Sequence, residues 1–216
     1  RTDINTDYSA NGTFIPKQES NQSADISGRV VSVYVKEGSR VGAGQVLASI
    51  KRDAIEVDVT QAQNNLQNAI IDNQRYENAY KTGGVTKQQL DNSRLQLKNA
   101  QAAVRSQSVR MNDTKVRAGI SGTINKKMVE PGAVVSPGTP LFEIVNINSL
   151  KLAVLVDESQ VGRIQIGQQV DINVNVLPDE IFTGRISFIA PKSDASLNFP
   201  VEIEVANNGK LKAGMY

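Results

Sequence analysis

The chain has 216 residues, with 24 Lys+Arg against 22 Asp+Glu, and it contains no His, Cys or Trp. Those absences exclude zinc fingers and His-bearing catalytic zinc sites, any nucleophile activated by an imidazole base, and disulfides. A net charge of +2 gives no broad basic field, so composition does not argue for nucleic acid. Carboxylate, Lys or Tyr chemistry and an oxygen-ligated metal stay open. Apolar residues at 39% and aromatics at 5% predict small modules in an elongated arrangement rather than one large core. No apolar run is long enough to span a bilayer, and no stretch of these residues reads as a secretory leader. Neither Arg1 nor Tyr216 reads as a natural terminus, so a trimmed fragment is expected.

Residues 4 to 16 read as a first strand. Then comes the first copy of an internal repeat. Gly28 to Ile50 (GRVVSVYVKEGSRVGAGQVLASI) aligns without a gap to Gly122 to Ile144 (GTINKKMVEPGAVVSPGTPLFEI) at an offset of 94. The identical pairs are Gly28/Gly122, Val35/Val129, Gly38/Gly132, Val41/Val135, Gly44/Gly138, Leu47/Leu141 and Ile50/Ile144. Short β-runs alternate with glycines placed where the chain needs positive φ or close backbone approach. Neither copy buries enough apolar surface alone, so the two are expected to pack face to face.

Between the copies, 17 of the 52 residues from Gln61 to Asn112 are Asn or Gln, and Pro is absent. Ile55, Val59, Ala62, Leu66, Ala69, Asn73, Tyr76 and Tyr80 alternate in steps of four and three, a heptad seam. The seam resumes as Leu90, Ser93, Leu97, Ala100, Val104, Gln107 and Met111. Two antiparallel helices of roughly 30 residues, each about 45 Å long, are predicted. Asp53 with Glu56 is expected to cap the first, Gly83-Gly84 to stop it, and Thr86 with Gln89 to box the second. A further row, Leu95, Ala102 and Val109, repeats every seven residues away from the seam.

The last region is β-rich. Leu150 to Val156 is a strand candidate and Asp157 to Ile164 a short helix with Asp157 and Gln160 in capping-box spacing. Val170, Ile172, Val174 and Val176 alternate with polar residues as in a half-buried strand. Ile181 to Ile189 and Phe199 to Val205 supply two more, consistent with a small antiparallel barrel or sandwich.

These stretches, together with TKVRAGISGTINKKMVEPGAVVSPGTPLFEIVN, LKLAVLVDESQVGRIQIGQQVDI, GRISFIAP and the final LKAGMY, resemble the periplasmic adaptors, or membrane fusion proteins of the haemolysin-secretion-like family, over nearly the whole chain from Ser23. One departure is Ala118-Gly119, where the family carries Ala-Pro. The resemblance implies a mainly β fold with an α-helical hairpin: a split lipoyl-like β-sandwich, an antiparallel coiled-coil hairpin and a small antiparallel β-barrel. The expected divisions are 1–22 (an N-terminal strand joining the barrel), 23–52 (first lipoyl half), 53–114 (hairpin), 115–147 (second lipoyl half) and 148–216 (barrel). A membrane-proximal domain and an N-terminal membrane anchor, a lipid or a helix, would lie outside the sequence.

The resemblance further implies a non-enzymatic, periplasmic subunit without a cofactor. It would link an inner-membrane resistance–nodulation–division-type transporter to a TolC-like outer-membrane channel and associate with itself into a ring. Such adaptors resemble one another in Arg-x3-Leu-x6-Ser at the hairpin tip. Arg75 matches the Arg, Ala79 stands at the Leu with Tyr80 beside it, and Thr86 stands at the Ser, followed by Lys87 and Asp91. Other readings are an adaptor for an ABC-type exporter, a heavy-metal pump adaptor, or a lipoyl or biotinyl carrier. Soft-metal ligation would fall to Met111, Met128 and Met215, which are far apart in sequence. A carrier needs its Lys on a tight exposed turn, and Lys51 stands at the start of a long insertion instead.

Overall fold

The structure, a computed structural model, describes residues 10–215. Residues 4–9, the expected start of the first strand, and Tyr216 lie outside the described residues. The strand that is described, β1 (Gly12–Ser23), runs seven residues past the expected end at 16. It pairs antiparallel with β8 (Pro140–Asp157), from Gly12 opposite Val154 to Ser23 opposite Pro140. The ladder shifts register between Pro16 and Gln18, where Pro16 has no N–H to donate.

The other edge of β8 carries β6 (Gly122–Lys127) and then β11 (Asn198–Ala206). β3 (Arg40–Val41) extends the sheet beyond β6, and β10 (Leu177–Ile189) and β9 (Gln169–Val174) extend it beyond β11. A second sheet has the order β5 (Lys115–Arg117), β4 (Val46–Ile50), β2 (Gly28–Val33), β7 (Val134–Val135). β8 runs unbroken through position 147 and serves two cores. Leu141, Phe142 and Ile144 enter the first, with Val30, Leu47, Ile50 and Ile124. Leu150, Leu152 and Val154 enter the second, with Phe14, Ile172, Val174, Val201 and Val205.

The repeat is visible in the backbone. Gly38 N–H donates to Ile124 O, and Gly132 N–H donates to Val30 O, both at 2.8 Å. Gly44 N–H donates to Ala118 O (2.7 Å), and Gly138 N–H to Ala24 O (2.9 Å). Each bond is its partner shifted by the sequence offset of 94. The two copies are therefore interlocked about a local two-fold axis, each completing the other's turns. Gly38, Gly44, Gly132 and Gly138 hold φ between +80° and +93° with open space where a Cβ would stand. Gly28 and Gly122 are not turns. They begin β2 and β6, and a Cβ there would meet Ile50 Cγ2 and Val145 O, each at 2.5 Å.

α1 (Asp53–Lys81) and α2 (Lys87–Asp113) leave this module between β4 and β5 and pack against each other. Their root is closed by Ile50 N–H donating to Thr114 O at 2.8 Å. The α2 seam residues from Leu90 to Met111 are all buried or half-buried, as are Ile55 to Asn73 on α1. Tyr76 and Tyr80 depart from the predicted seam. They are 37% and 43% exposed, and half-buried Glu77 and Ala79 take the inner face near the tip. Asn73 and Ser93 meet at the centre, with Ser93 Oγ 3.2 Å from Asn73 Oδ1 and 2.8 Å from Leu90 O. Leu95 and Val109 are exposed, as the off-seam row predicts.

The expected Asp53 cap is not formed. Arg52 occupies the N-cap without a side-chain cap bond. The strand-to-helix junction fixes the start one residue early, so Asp53 and Glu56 instead place acidic charge in the first turn, where the helix dipole favours it. The helix expected from Asp157 to Ile164 is only α3 (Glu158–Val161). Asp157 caps it by accepting from Ser159 N at 2.8 Å rather than through a box with Gln160. Val176 falls outside β9 and is 63% exposed.

Candidate docking site at the helical tip

The tip is built around one carbonyl. Ala79 O accepts from Thr82 N (3.2 Å), Thr82 Oγ1 (3.0 Å) and Gly84 N (2.8 Å). Gly83 holds φ +75°, which lets the chain reverse there. Gly84 has no positive φ. It passes close to α1, and a Cβ on it would stand 3.3 Å from Ala79 O. Thr86 then starts α2 with a complete capping box. Its Oγ1 accepts from Gln89 N at 3.2 Å, and its own N–H donates to Gln89 Oε1 at 2.8 Å. These bonds satisfy orphan donors at the helix start and fix where the following residues point.

A groove of about 260 Å³ lies across the tip, lined by Glu77, Tyr80, Lys81, Lys87, Leu90, Asp91 and Arg94. Leu90, 4% exposed, anchors α2 beneath it. Arg94 reaches across to Glu77 (3.4 Å) and down its own helix to Asp91 (3.8 Å), so one guanidinium ties both helices together. Such exposed pairs contribute little energy singly, but they set geometry. Of the residues singled out in the sequence, Tyr80, Lys87 and Asp91 line this groove. Arg75, Ala79 and Thr86 do not. Arg75 is 77% exposed and pairs with Asp72 at 3.5 Å, while Ala79 and Thr86 shape the turn. Glu77, Lys81, Leu90 and Arg94 were not singled out for the tip. The three-residue step from Asp91 to Arg94 was a readable signal, whereas the Glu77 pairing depends on the register between two helices.

A larger cleft of about 550 Å³ lies at the helix root, where Val31 and Tyr34 stand exposed near Lys51, Arg52 and Lys115. Lys51 pairs with Asp53 at 3.5 Å and stands between a strand and a helix, not on a tight turn. A third groove, of about 410 Å³, opens between β1 and β9 over the second core. Among the described residues, no group of three or more carboxylates is placed to hold a metal ion. Met111 lies in α2, Met128 is exposed after β6, and Met215 packs on the second core. No helix among the described residues is long and apolar enough to cross a membrane.

Among the described residues three carboxylates are held below their ordinary values: Asp157, by its hydrogen bonds with Ser159, together with Glu143 and Glu204. Glu143 is held below its ordinary value of 4.5, first by the hydrogen bond from Asn125 and then by Lys126. Glu204 is lowered chiefly by the hydrogen bond from Lys17, which lies at 2.5 Å. Both lie on the long sheet, far in sequence from the tip, and act as cross-strand ties.

Comparison with known proteins places this architecture. A family model described as the RND MFP barrel-sandwich hybrid domain matches residues 21–147, and one described as a CusB-like beta-barrel domain matches residues 150–216. The nodulation protein NolF of Rhizobium meliloti is 29% identical over 232 residues, covering 100% of this chain and 63% of NolF. The multidrug resistance protein MdtA of Yersinia pseudotuberculosis is 29% identical over 174 residues, covering 73% of this chain and 39% of MdtA. The chain thus spans less than two thirds of the length of these relatives. In fold, it is similar to a crystallised MacA–MexA chimeric protein containing the Pseudomonas aeruginosa MexA alpha-hairpin domain. The TM-score is 0.85 at 23% identity, covering 95% of this chain and 77% of the chimera.

Proposed function

Because this chain belongs to the RND membrane fusion proteins, with their barrel-sandwich hybrid domain over residues 21–147, we propose that it is the periplasmic adaptor of a multidrug efflux pump. In this reading it joins an inner-membrane transporter of the resistance–nodulation–division type to a TolC-like outer-membrane channel. The protein carries no chemistry of its own. Its work is reach and sealing. In this reading the working units are the N-terminal strand, the two lipoyl halves, the hairpin over 53–114 and the barrel. The barrel docks toward the transporter, the lipoyl module packs laterally into a ring, and a segment preceding the chain anchors it to the inner membrane.

The observation that carries the reading is the helix pair. At 29 and 27 residues the helices extend about 40 Å from the β-module, and packed as a pair they hold that reach as an ordered element rather than a loose chain. The polar contact between Asn73 and Ser93 fixes the register of an antiparallel coiled coil, as single polar seam residues do. Register matters because it sets which side chains of the two helices meet at the tip. Arg75, Ala79, Tyr80, Thr86, Lys87 and Asp91 form the channel-facing end.

The test is in-cell photo-crosslinking. A photoreactive residue at Arg75 should capture the outer-membrane channel, and one at Val57 near the root should not. Equal capture at both positions, or none at Arg75, refutes docking through the tip. Arg75→Glu should abolish export while leaving the isolated chain's melting unchanged.

A further inference from the structure

The two copies of the repeat differ at one cross-strand row. In the second copy Lys126 on β6, Glu143 on β8 and Asn21 on β1 stand side by side. The Glu143 carboxylate is engaged there by Lys126 Nζ at 3.1 Å and by Asn125 Nδ2. Displaced by the repeat offset of 94, the row becomes Ser32 on β2, Ser49 on β4 and Lys115 on β5, and these are again cross-strand neighbours. The first copy therefore has a cation in the row but a serine where the second has its carboxylate. Lys115 is half-buried and, among the described residues, makes no ion pair. A charge drawn out of water is costly unless a counter-charge meets it.

This row lines the cleft of about 550 Å³ at the helix root. Val31 and Tyr34, 55% and 61% exposed, give the cleft an apolar side. Tyr34 Oη lies 3.2 Å from Ser49 Oγ, which ties the ring to the row. Lys51 and Arg52 bring two more cations, against Asp53 as the one carboxylate lining the cleft. Lys51 pairs with Asp53 at 3.5 Å and Arg52 with Glu56 at 3.8 Å, both exposed contacts of little energy. An apolar side with a few convergent polar groups, at this volume, has the form of a small-molecule site.

We propose that the root cleft binds a small organic carboxylate with a flat apolar body. The carboxylate lies over Ser49, in the place that Glu143 holds in the second copy, and pairs with Lys115. The apolar body lies on Val31 and Tyr34. Lys51 and Arg52 raise the positive potential of the cleft, which favours an anion over a neutral molecule of the same shape. The inference goes beyond the adaptor reading and does not depend on it, since the cleft stands at the root of the helices and the tip at their far end.

The experiment is equilibrium dialysis of the whole chain against 2-naphthoate, with neutral 2-naphthamide and cationic 2-naphthylmethylammonium as probes of the same apolar body. The carboxylate should bind about tenfold or more tightly than the amide, the difference expected for one charge-assisted contact, and the cation least of all. Lys115→Gln should weaken 2-naphthoate about tenfold and leave 2-naphthamide unchanged, while Lys115→Arg should keep the affinity. Tyr34→Ala should weaken both probes. Ser49→Glu places the carboxylate of the second copy in the first; it should abolish 2-naphthoate binding without lowering the melting temperature. Lys115→Gln, which changes a charge and not a shape, decides the matter independently if Ser49→Glu disturbs the fold. No binding of 2-naphthoate, equal affinity for the amide, or binding unchanged by Lys115→Gln overturns the proposal. So does a loss of self-association in Lys115→Gln with 2-naphthoate binding unaltered, which would assign the cleft to a second copy of the chain. Channel capture from Arg75 is read separately, so the adaptor reading stands or falls on its own.

Discussion

Gly28 and Gly122 are equivalent in the repeat, yet alanine should cost very different amounts at the two. At Gly28 the new methyl would stand 2.5 Å from Ile50 Cγ2, a side-chain atom. Ile50 is 1% exposed and β-branched, so relief comes from a strained rotamer, at about 1 kcal/mol. At Gly122 the methyl would stand 2.5 Å from Val145 O and 2.9 Å from Val145 C. Those are backbone atoms of β8, whose register with β6 pairs Val145 with the neighbouring Thr123. Relief there requires moving a strand that is also paired to β1, with Glu19 opposite Val145. Overpacking against such a frame costs about 3 kcal/mol. Gly38→Ala is the control for conformation without crowding. Its φ of +80° faces open space, so it should cost about 1–2 kcal/mol. For a chain of this size, 1 kcal/mol shifts Tm by about 2–4 °C. Thermal melts followed by circular dichroism in the β-sheet region should therefore rank Gly122→Ala below both others, by about 4–8 °C against Gly28→Ala and about 2–8 °C against Gly38→Ala. A Gly122 variant melting at or above the Gly28 variant would refute the claim that a backbone carbonyl, not the repeat, sets the cost.

Ser93→Ala alone should destabilise the helix pair by about 1 kcal/mol, because Asn73 Oδ1 loses its donor at a position only 8% exposed. Asn73→Leu with Ser93→Ala should be neutral or stabilising, measured as helical ellipticity against temperature; a double variant less stable than the single one would contradict this. Thr86→Ala should cost about 1 kcal/mol and Thr86→Ser nearly nothing, since only the hydroxyl completes the box with Gln89. The lowered Glu143 and Glu204 contribute stability that is present above pH 4.5, their ordinary value, and is lost as pH falls through their lower folded values. Glu143→Gln should flatten that acid limb in urea melts taken between about pH 5 and pH 3, and an unchanged slope would show that the Asn125 and Lys126 contacts do not hold in solution.

The repeat was the most readable feature of the sequence because its glycines have no substitute. Glycines paired at an offset of 94 make equivalent hydrogen bonds to the opposite copy, Gly38 to Ile124 O and Gly132 to Val30 O. The Thr86 box was equally legible, being wholly local. Asp53 misled because capping residues also suit the first turn, and the true start was set by β4 and by Thr114 O, which sequence spacing does not show. Tyr76 and Tyr80 fitted the heptad by number, yet the small Ala79 and the paired Glu77 took the inner face. At the tip, the sequence motif led to Arg75 and Thr86. The groove itself needed the contact of Arg94 with a residue on the other helix.

The reciprocal bonds between Gly38 and Ile124, and between Gly132 and Val30, also constrain how the chain folds. Neither half of the module can close until the other has been synthesised, about 70 residues later. The helix pair, made of local contacts, can form first and bring Ile50 to Thr114 at 2.8 Å. Closing a flexible loop of about 60 residues would otherwise cost about 4 kcal/mol in chain entropy. In an emerging chain, the interval before β6 and β8 appear is when Leu47 and Ile50 lie uncovered, and it is the period in which a chaperone would find this protein.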